Sequence, residues 1–238
     1  MKRLLASIRL DVRLQFRNGF YYATAFVAVL SVLLLGRLPY TSLAWLLPLF
    51  IVNNLIINNF YFVGGLVLLE KSEGTLEAQV VTPLQTREYL AAKAITLSLL
   101  SLLETLLIAG LTAGLGFNVL ILSAGVLLTA VFFMLAGFIV VARYDSINEY
   151  LLPSVLYTAL MALPLLPYAG VAESWLFYLH PLQPMLLLLQ AAFRPVTTWQ
   201  LAYGVVYSIF WLALIYHICR RTFHRFVISQ AKPHRGYL

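Results

Sequence analysis

The chain has 238 residues, of which 62% are hydrophobic and 11% are charged, and its formal net charge is +7. A soluble globular domain carries about a quarter charged residues, so the composition excludes that class and indicates an all-α, polytopic membrane protein. A helix needs about 20 mostly apolar residues to cross the hydrocarbon core, because its backbone polar groups must be bonded within the segment.

The spacing of apolar and basic residues in residues 1–17 predicts an amphipathic helix that lies on the membrane surface. At about 100° per residue, five apolar side chains share one third of the circumference and five basic side chains share a neighbouring arc. The apolar set is Leu4, Leu5, Ile8, Val12 and Phe16, and the basic set is Lys2, Arg3, Arg9, Arg13 and Arg17. Such a helix turns its apolar side to lipid and its basic side to the headgroups. The alternative is a basic topology signal with no further role.

Six apolar stretches follow, and we predict a transmembrane helix for each, within one transmembrane domain that covers residues 1–238. The uncharged stretch between Glu104 and Arg143 is divided in two, because Gly114, Gly116 and Asn118 favour a tight turn. The six predicted helices are residues 20–35, 43–69, 92–113, 119–142, 150–166 and 199–219.

The distribution of Lys and Arg predicts the orientation of these helices. With a cytoplasmic N-terminus, only Arg37 and Arg194 of the sixteen Lys and Arg residues lie outside. Cytoplasmic segments are enriched in Lys and Arg, so we expect a multi-pass cell-membrane protein with both termini in the cytoplasm. The basic tail, residues 220–238, then faces anionic membrane lipids, and no nucleic acid is needed to explain the net charge.

A charged loop, residues 70–92, connects the second predicted helix to the third. It begins EKSEGTLE, and Thr82-Pro83 follows five residues later. Gly74 can end one helix, Thr75 can begin a short second helix, and Pro83 breaks the chain again. Ordinary loops of this length are rarely so structured, so we predict a docking segment at the membrane face. The alternative is a solvated loop whose charges only set topology.

Polar residues also lie inside two of the predicted helices. The second helix carries Asn53, Asn54, Asn58 and Asn59 near its middle, and the third carries Glu104. Unpaired buried amides and carboxylates cost free energy, so these side chains should face protein or water. Asn54, Asn58 and Glu104 are candidate residues of a substrate pathway. The alternative is that they hold helices together through hydrogen bonds.

The segment 168–198 precedes the last predicted helix. Met185 to Phe193 is apolar but too short to cross a membrane, while Trp175 and Tyr178 suit its interface. We predict a re-entrant or interfacial helical hairpin on the outer side of the membrane. The alternative is an apolar loop packed on the helices.

The charged loop and this layout resemble the permease subunits of ABC-2 type ABC transporters, and in size and layout the drug-export permeases that include fluoroquinolone exporters. The likeness lies in the spacing E-x-x-x-G-T-L-E, then T-P, then Glu88 and Lys93 at the start of the next helix. It implies that the short helix of the loop sits in a cleft of a separate ATPase subunit and transmits its closure. The coupling residues it implies are Glu70, Gly74, Thr75, Leu76, Glu77, Thr82 and Pro83.

The same resemblance implies partners for the chain. Six helices form half of a pathway in that family, so a second permease chain is expected, as a homodimer or a heterodimer. ATP and Mg²⁺ are expected on the ATPase subunit, because none of the thirteen glycines here is followed by Lys and the phosphate-binding loop is therefore missing. We expect a permease for ATP-driven export that binds no cofactor or metal itself.

Two other functional classes remain as alternatives. An intramembrane enzyme is disfavoured, because the four His residues lie in the outer loop, at the inner membrane edge and in the tail, without metal-binding spacing. The single Cys219 has no accompanying catalytic partners either. A membrane anchor or assembly factor without transport fits the composition but would not require the charged loop.

Overall fold

The computed structural model describes residues 2–76, 85–114, 116–172 and 174–228. All regular secondary structure in these ranges is helical, which confirms the all-α prediction. The α-helices are α1 Lys2–Arg17, α2 Phe20–Leu35, α3 Tyr40–Leu55, α4 Phe62–Ser72, α5 Thr86–Ala113, α6 Val119–Val141, α7 Ile147–Met161, α8 Leu165–Tyr168, α9 Leu182–Ala191 and α10 Thr198–Phe223. Ile56–Tyr61 and His224–Ile228 are π-helical, and Trp175–Leu179 is a 3₁₀ helix.

Within these ranges, four helical stretches are long and apolar enough to cross a membrane: Tyr40–Ser72, Thr86–Ala113, Val119–Val141 and Thr198–Phe226. The count rises to five if α1 and α2 form one broken span, with a bend of 63° between the two helices. The predicted count of six is therefore not confirmed. Helix α7 has 15 residues, and at 1.5 Å per residue it reaches only about 22 Å, less than the thickness of the hydrocarbon core.

Helix α1 presents two different faces. Leu5, Val12 and Phe16 are exposed, as expected of side chains that contact lipid. The face that packs on α5 is mostly polar, and it buries Ser7, Asp11, Leu14 and Gln15. These residues recur at helical spacing, so α1 is held to the bundle by a mostly polar stripe, while its apolar side is left mostly exposed.

The second predicted helix is one helical stretch with a wider π-helical turn at Ile56–Tyr61. Gly137 of α6 lies directly against this turn, since a Cβ atom on Gly137 would be 2.6 Å from the Phe60 carbonyl oxygen. The Tyr150 hydroxyl of α7 donates a hydrogen bond to the same oxygen at 3.3 Å. The π-helical turn is thus held between α6 and α7, and turns of this type are frequent at functional sites.

The two ends of the bundle differ. At the charged end, Lys71 Nζ donates to the carbonyl oxygens of Ala142 and Tyr144 just after α6, at 3.1 and 2.7 Å. At the opposite end, the Asn118 N–H, just before α6, donates to the Ala192 carbonyl oxygen just after α9 at 2.8 Å. Helix α6 therefore runs the length of the bundle between these two ends.

Helix α9 is buried against α6 and α10 at the opposite end. Burial lowers the pKa of His180, so its ring is neutral near pH 7. Its Nδ1 atom accepts the Leu182 N–H at 3.2 Å, and Nε2 donates to the Leu160 carbonyl oxygen at 3.1 Å. His180 thus fastens the start of α9 to the end of α7. The predicted outer segment contains helices, while its re-entrant course in the bilayer stays a prediction.

Substituting Gly137→Ala should destabilise the bundle by about 1 to 3 kcal/mol, because the new methyl group would overlap backbone atoms of Phe60. Gly110→Ala is the matched control, since a Cβ atom there meets nothing within 4 Å. That change should be neutral or stabilising by up to about 1 kcal/mol through helix propensity. Thermal unfolding of both variants in detergent measures the difference. Equal unfolding temperatures would mean that α6 does not approach the π-helical turn this closely.

Candidate functional site

The helices that enter and leave the charged loop are joined by a buried ion pair. Lys93 Nζ of α5 lies 2.7 Å from Glu70 Oε1 of α4 and 3.1 Å from Asp11 Oδ1 of α1. The Lys93 side chain has no exposed surface, and the two carboxylates are almost completely buried. We call Asp11, Glu70 and Lys93 the ion cluster; it joins three helices at the base of the charged loop.

Further hydrogen bonds complete the coordination of Glu70. The Tyr89 hydroxyl donates to Glu70 Oε2 at 2.6 Å, and the Tyr89 ring centroid lies 4.7 Å from Lys93 Nζ. The Thr75 hydroxyl donates to the Glu70 carbonyl oxygen at 3.2 Å, so the start of the charged loop is bonded to the same residue. Both carboxylate oxygens and the backbone of Glu70 are therefore fixed.

The ion cluster has two carboxylates for one ammonium group. Asp11 accepts from Lys93 through Oδ1, while its buried Oδ2 has no hydrogen-bond partner among the described residues. A buried ion pair adds little net stability compared with apolar packing, but removal of one partner is costly because the other charge stays buried. The cluster is thus better suited to fixing the relative positions of three helices than to adding stability.

Ion pairs near the surface hold the same loop to other elements. Arg17 at the end of α1 lies 2.6 Å from Glu73, and both side chains are well exposed. Lys71 Nζ lies 3.0 Å from Asp145, just beyond α6. Together with the ion cluster, these contacts bind the first residues of the charged loop to α1, α5 and the end of α6.

The structure describes the positions of some residues of the predicted coupling set. Gly74 has a φ angle of +66° and follows the end of α4, which confirms the predicted helix end. Leu76 is buried with 4% of its surface exposed, and Thr75 and Leu76 have helical geometry. The remaining members of the set lie outside the described residues: Glu77, Thr82 and Pro83. The coupling role of the set stays a prediction.

Two of the predicted asparagines inside the membrane helices, Asn58 and Asn59, form hydrogen bonds to α5. Asn58 Nδ2 donates to Glu104 Oε2, and Asn59 Nδ2 donates to Ser101 Oγ at 2.9 Å. Asn54 is buried, whereas Asn53 is exposed, because adjacent residues of a helix point to different sides. These bonds join the π-helical turn to α5. Glu104 Oε1 is buried and has no partner among the described residues, so one acceptor stays available.

Sequence reasoning missed half of this site. The sequence predicts no specific role for Asp11 and places Lys93 only at the start of a helix, whereas the structure buries both side chains. The available signal was that Asp11 is the single acidic residue among the first seventeen, in an otherwise basic helix. Tyr89 and Lys93 are four residues apart on α5, which places both on one helical face next to Glu70.

A helical bundle with four or five candidate spans, buried polar pairs inside them and a charged loop defines a multi-pass membrane protein. The described residues contain no group of His, Cys, Asp and Glu side chains that could hold a metal ion. The chain belongs to the fluoroquinolones export permease protein family, whose sequence model matches residues 2–231.

Two curated relatives carry the name fluoroquinolones export permease protein. They come from Mycobacterium tuberculosis strains CDC 1551 / Oshkosh and ATCC 25618 / H37Rv, and each is 36% identical to this chain over 234 residues. The match covers 97% of this chain and 99% of each relative. The chain is therefore a membrane permease of a drug-export family, and the family identity indicates a transport subunit rather than an enzyme.

Lys93→Met should destabilise the protein by about 3 to 5 kcal/mol, because Asp11 and Glu70 would be left as buried, unpaired carboxylates. Arg17→Met is the matched control, since it removes an exposed ion pair with Glu73 and should cost less than about 1 kcal/mol. Thermal unfolding in detergent gives both values.

Adding Asp11→Asn and Glu70→Gln to Lys93→Met should recover most of the lost stability, because the unpaired charges are then removed together. The buried ion cluster would be contradicted by a Lys93→Met variant as stable as Arg17→Met, or by a triple variant that recovers none of the stability lost in Lys93→Met.

Proposed function

We propose that this chain is the membrane-spanning subunit of an ATP-driven, ABC-2 type exporter of amphiphilic drugs. The observation that carries the proposal is the ion cluster, which links α1, α4 and α5 at the base of the charged loop. A partner that displaces the loop would move three helices together, because the buried ion pairs cannot open without exposing unpaired charges.

The local geometry of the charged loop favours transmission of such a movement. Thr75 is bonded to Glu70, Glu70 to Lys93, and Lys93 to Asp11, so the bonds run without a gap from the loop into the bundle. Gly74 provides the left-handed backbone turn that brings Thr75 back onto Glu70. By the family resemblance, the loop is received by an ATPase subunit that binds ATP and Mg²⁺.

The cargo would pass along the polar pairs inside the helices. Asn54, Asn58 and Glu104 are buried, and the unpaired Glu104 Oε1 offers an acceptor to a cationic or hydrogen-bonding group of a drug. The names of the two mycobacterial relatives support an aromatic, amphiphilic drug as cargo. The alternative role of these residues is to hold α5 to the π-helical turn.

A second permease chain would complete the pathway. Helix α7 buries only Tyr150, Ser154 and Thr158, and beyond its first turn its remaining surface is mostly apolar and available to lipid or to a second permease. The positive-inside asymmetry supports a cytoplasmic position for both termini and the charged loop, with the protein in the cell membrane. The basic tail then lies at the anionic inner surface.

Affinity purification of the tagged chain from its native membrane tests the partnership. The wild type should retain a nucleotide-binding ATPase, and a variant with Gly74→Pro and Glu77→Arg should lose it, because the turn and charge of the loop are altered. Gly170→Pro is the matched control: Gly170 also has a positive φ angle, +74°, but lies in the segment at the opposite end. Recovery of no ATPase with any of the three proteins would favour a membrane anchor or assembly factor.

Drug accumulation in cells tests the pathway residues. Replacing Asn54 and Asn58 together by Leu should abolish export while the ATPase complex still assembles, and Glu104→Gln should reduce export of cationic drugs. Loss of assembly in the Asn54→Leu, Asn58→Leu variant would support the structural role instead. Normal export of every tested compound by Glu104→Gln would remove Glu104 from the pathway.

A further inference from the structure

The end of the bundle opposite the ion cluster contains a cavity of about 630 Å³. Its walls come from the residues around α8, the 3₁₀ helix Trp175–Leu179, α9 and the first turn of α10. Sites for small molecules typically occupy about 300 to 1,000 Å³, so this space is large enough for a drug-sized ligand.

The walls combine aromatic rings with primary amides. Trp175, Phe177 and Tyr178 provide aromatic surface, and Gln183, Gln190 and Gln200 provide amides. Among the described residues that line the cavity, none is charged. Aromatic faces stack on planar rings, and amides both donate and accept hydrogen bonds, so this lining matches a planar molecule with polar substituents.

Two of the amides have hydrogen-bonding capacity that the protein does not use. Gln183 Oε1 is buried and has no partner among the described residues. Gln200 Oε1 accepts the Thr197 N–H at 3.0 Å, and this bond leaves the Gln200 NH₂ group free to donate. A buried, unpaired amide oxygen is unfavourable, and a ligand that donates to Gln183 would remove that penalty.

The aromatic wall is held in place by bonds to α10. The Tyr203 hydroxyl donates to the Tyr178 carbonyl oxygen, and the Tyr207 hydroxyl donates to the Leu179 carbonyl oxygen at 3.2 Å. The Tyr178 ring also packs on Trp199, with 5.8 Å between the ring centroids. The cavity is therefore formed before any ligand arrives, which limits the ordering cost of binding.

We propose that this cavity is a binding site, separate from Asn54, Asn58 and Glu104, for planar aromatic molecules that carry hydrogen-bonding donor and carbonyl groups. The inference rests on the proposed export function and specifies where the cargo is held at the outer end. The ligand ring stacks on the aromatic wall, a ligand donor bonds Gln183, and a ligand carbonyl accepts from Gln200.

Lipid is a poorer match to this lining. An acyl chain would leave the three amides unpaired, and a phosphate headgroup would meet no cationic side chain among the described lining residues. A planar polar ring satisfies the amides and the aromatic surface at the same time.

The test is binding of ciprofloxacin, an intrinsically fluorescent fluoroquinolone, to the full chain in lipid nanodiscs, measured by fluorescence anisotropy. Gln183→Met keeps the side-chain length and removes the amide, and should weaken binding about 3- to 10-fold. Trp175→Leu should weaken it by a similar factor through lost stacking. Phe26→Leu is the matched control, because Phe26 is exposed to nearly the same degree, 69% against 72% for Trp175, but lies on α2.

Thermal unfolding confirms that each variant is folded before binding is compared. Unchanged affinity in both Gln183→Met and Trp175→Leu would overturn the site, and so would lipid that stays bound in the cavity and is not displaced by ciprofloxacin. The partnership experiment separates this inference from the proposed function. If an ATPase copurifies but Gln183→Met and Trp175→Leu bind ciprofloxacin as tightly as the wild type, the exporter proposal stands and the cavity is rejected as a binding site. If both variants bind ciprofloxacin more weakly but no ATPase copurifies, the binding site stands and the exporter proposal is rejected.

Discussion

The structure depends on one buried ammonium group. Lys93 is enclosed between Asp11 and Glu70, and each of these three residues belongs to a different helix. Charges at such depth must stay paired, so the relative positions of α1, α4 and α5 are constrained more tightly than apolar packing alone would require. The N-terminal helix, whose amphipathic pattern predicts a position at the membrane surface, is thereby made part of the bundle.

The same constraint explains how the charged loop is built. The loop residues that follow Glu70 include Lys71, Glu73 and Thr75. Ion pairs attach Glu73 to α1 and Lys71 to the turn after α6, and a hydrogen bond attaches Thr75 to Glu70. The loop therefore begins as a rigid extension of the helices. The hydrogen bonds from Asn58 and Asn59 to α5 continue this pattern inside the spans, where amides are the donors in place of an ammonium group, because charges are more costly at membrane depth.

Sequence analysis predicted the long helices well, because α5, α6 and α10 are continuous apolar stretches with clear turn signals at their ends. It failed where packing between helices determines the local backbone conformation or the end of a helix. The π-helical turn at Ile56–Tyr61 adds no distinctive residue pattern, and α7 is shorter than its apolar stretch because the chain turns before Pro164. The sequence motif of the charged loop singled out Glu70 and Gly74, which the structure places at the base of the loop. The burial of Asp11 and Lys93 was not predicted, because these two partners lie 82 residues apart in the chain.

The contact at Gly137 divides α6 into a short part and a long part. Its contact with the π-helical turn is backbone against backbone, so α6 has no side chain to repack there and would pivot about that point. The contact lies four residues from the charged end of α6 and eighteen from the other end, or about 6 Å against about 27 Å along the axis. A tilt of α6 about this contact that shifts the end beside Lys71 by a small distance would therefore shift the end that packs against α9 about four to five times as far.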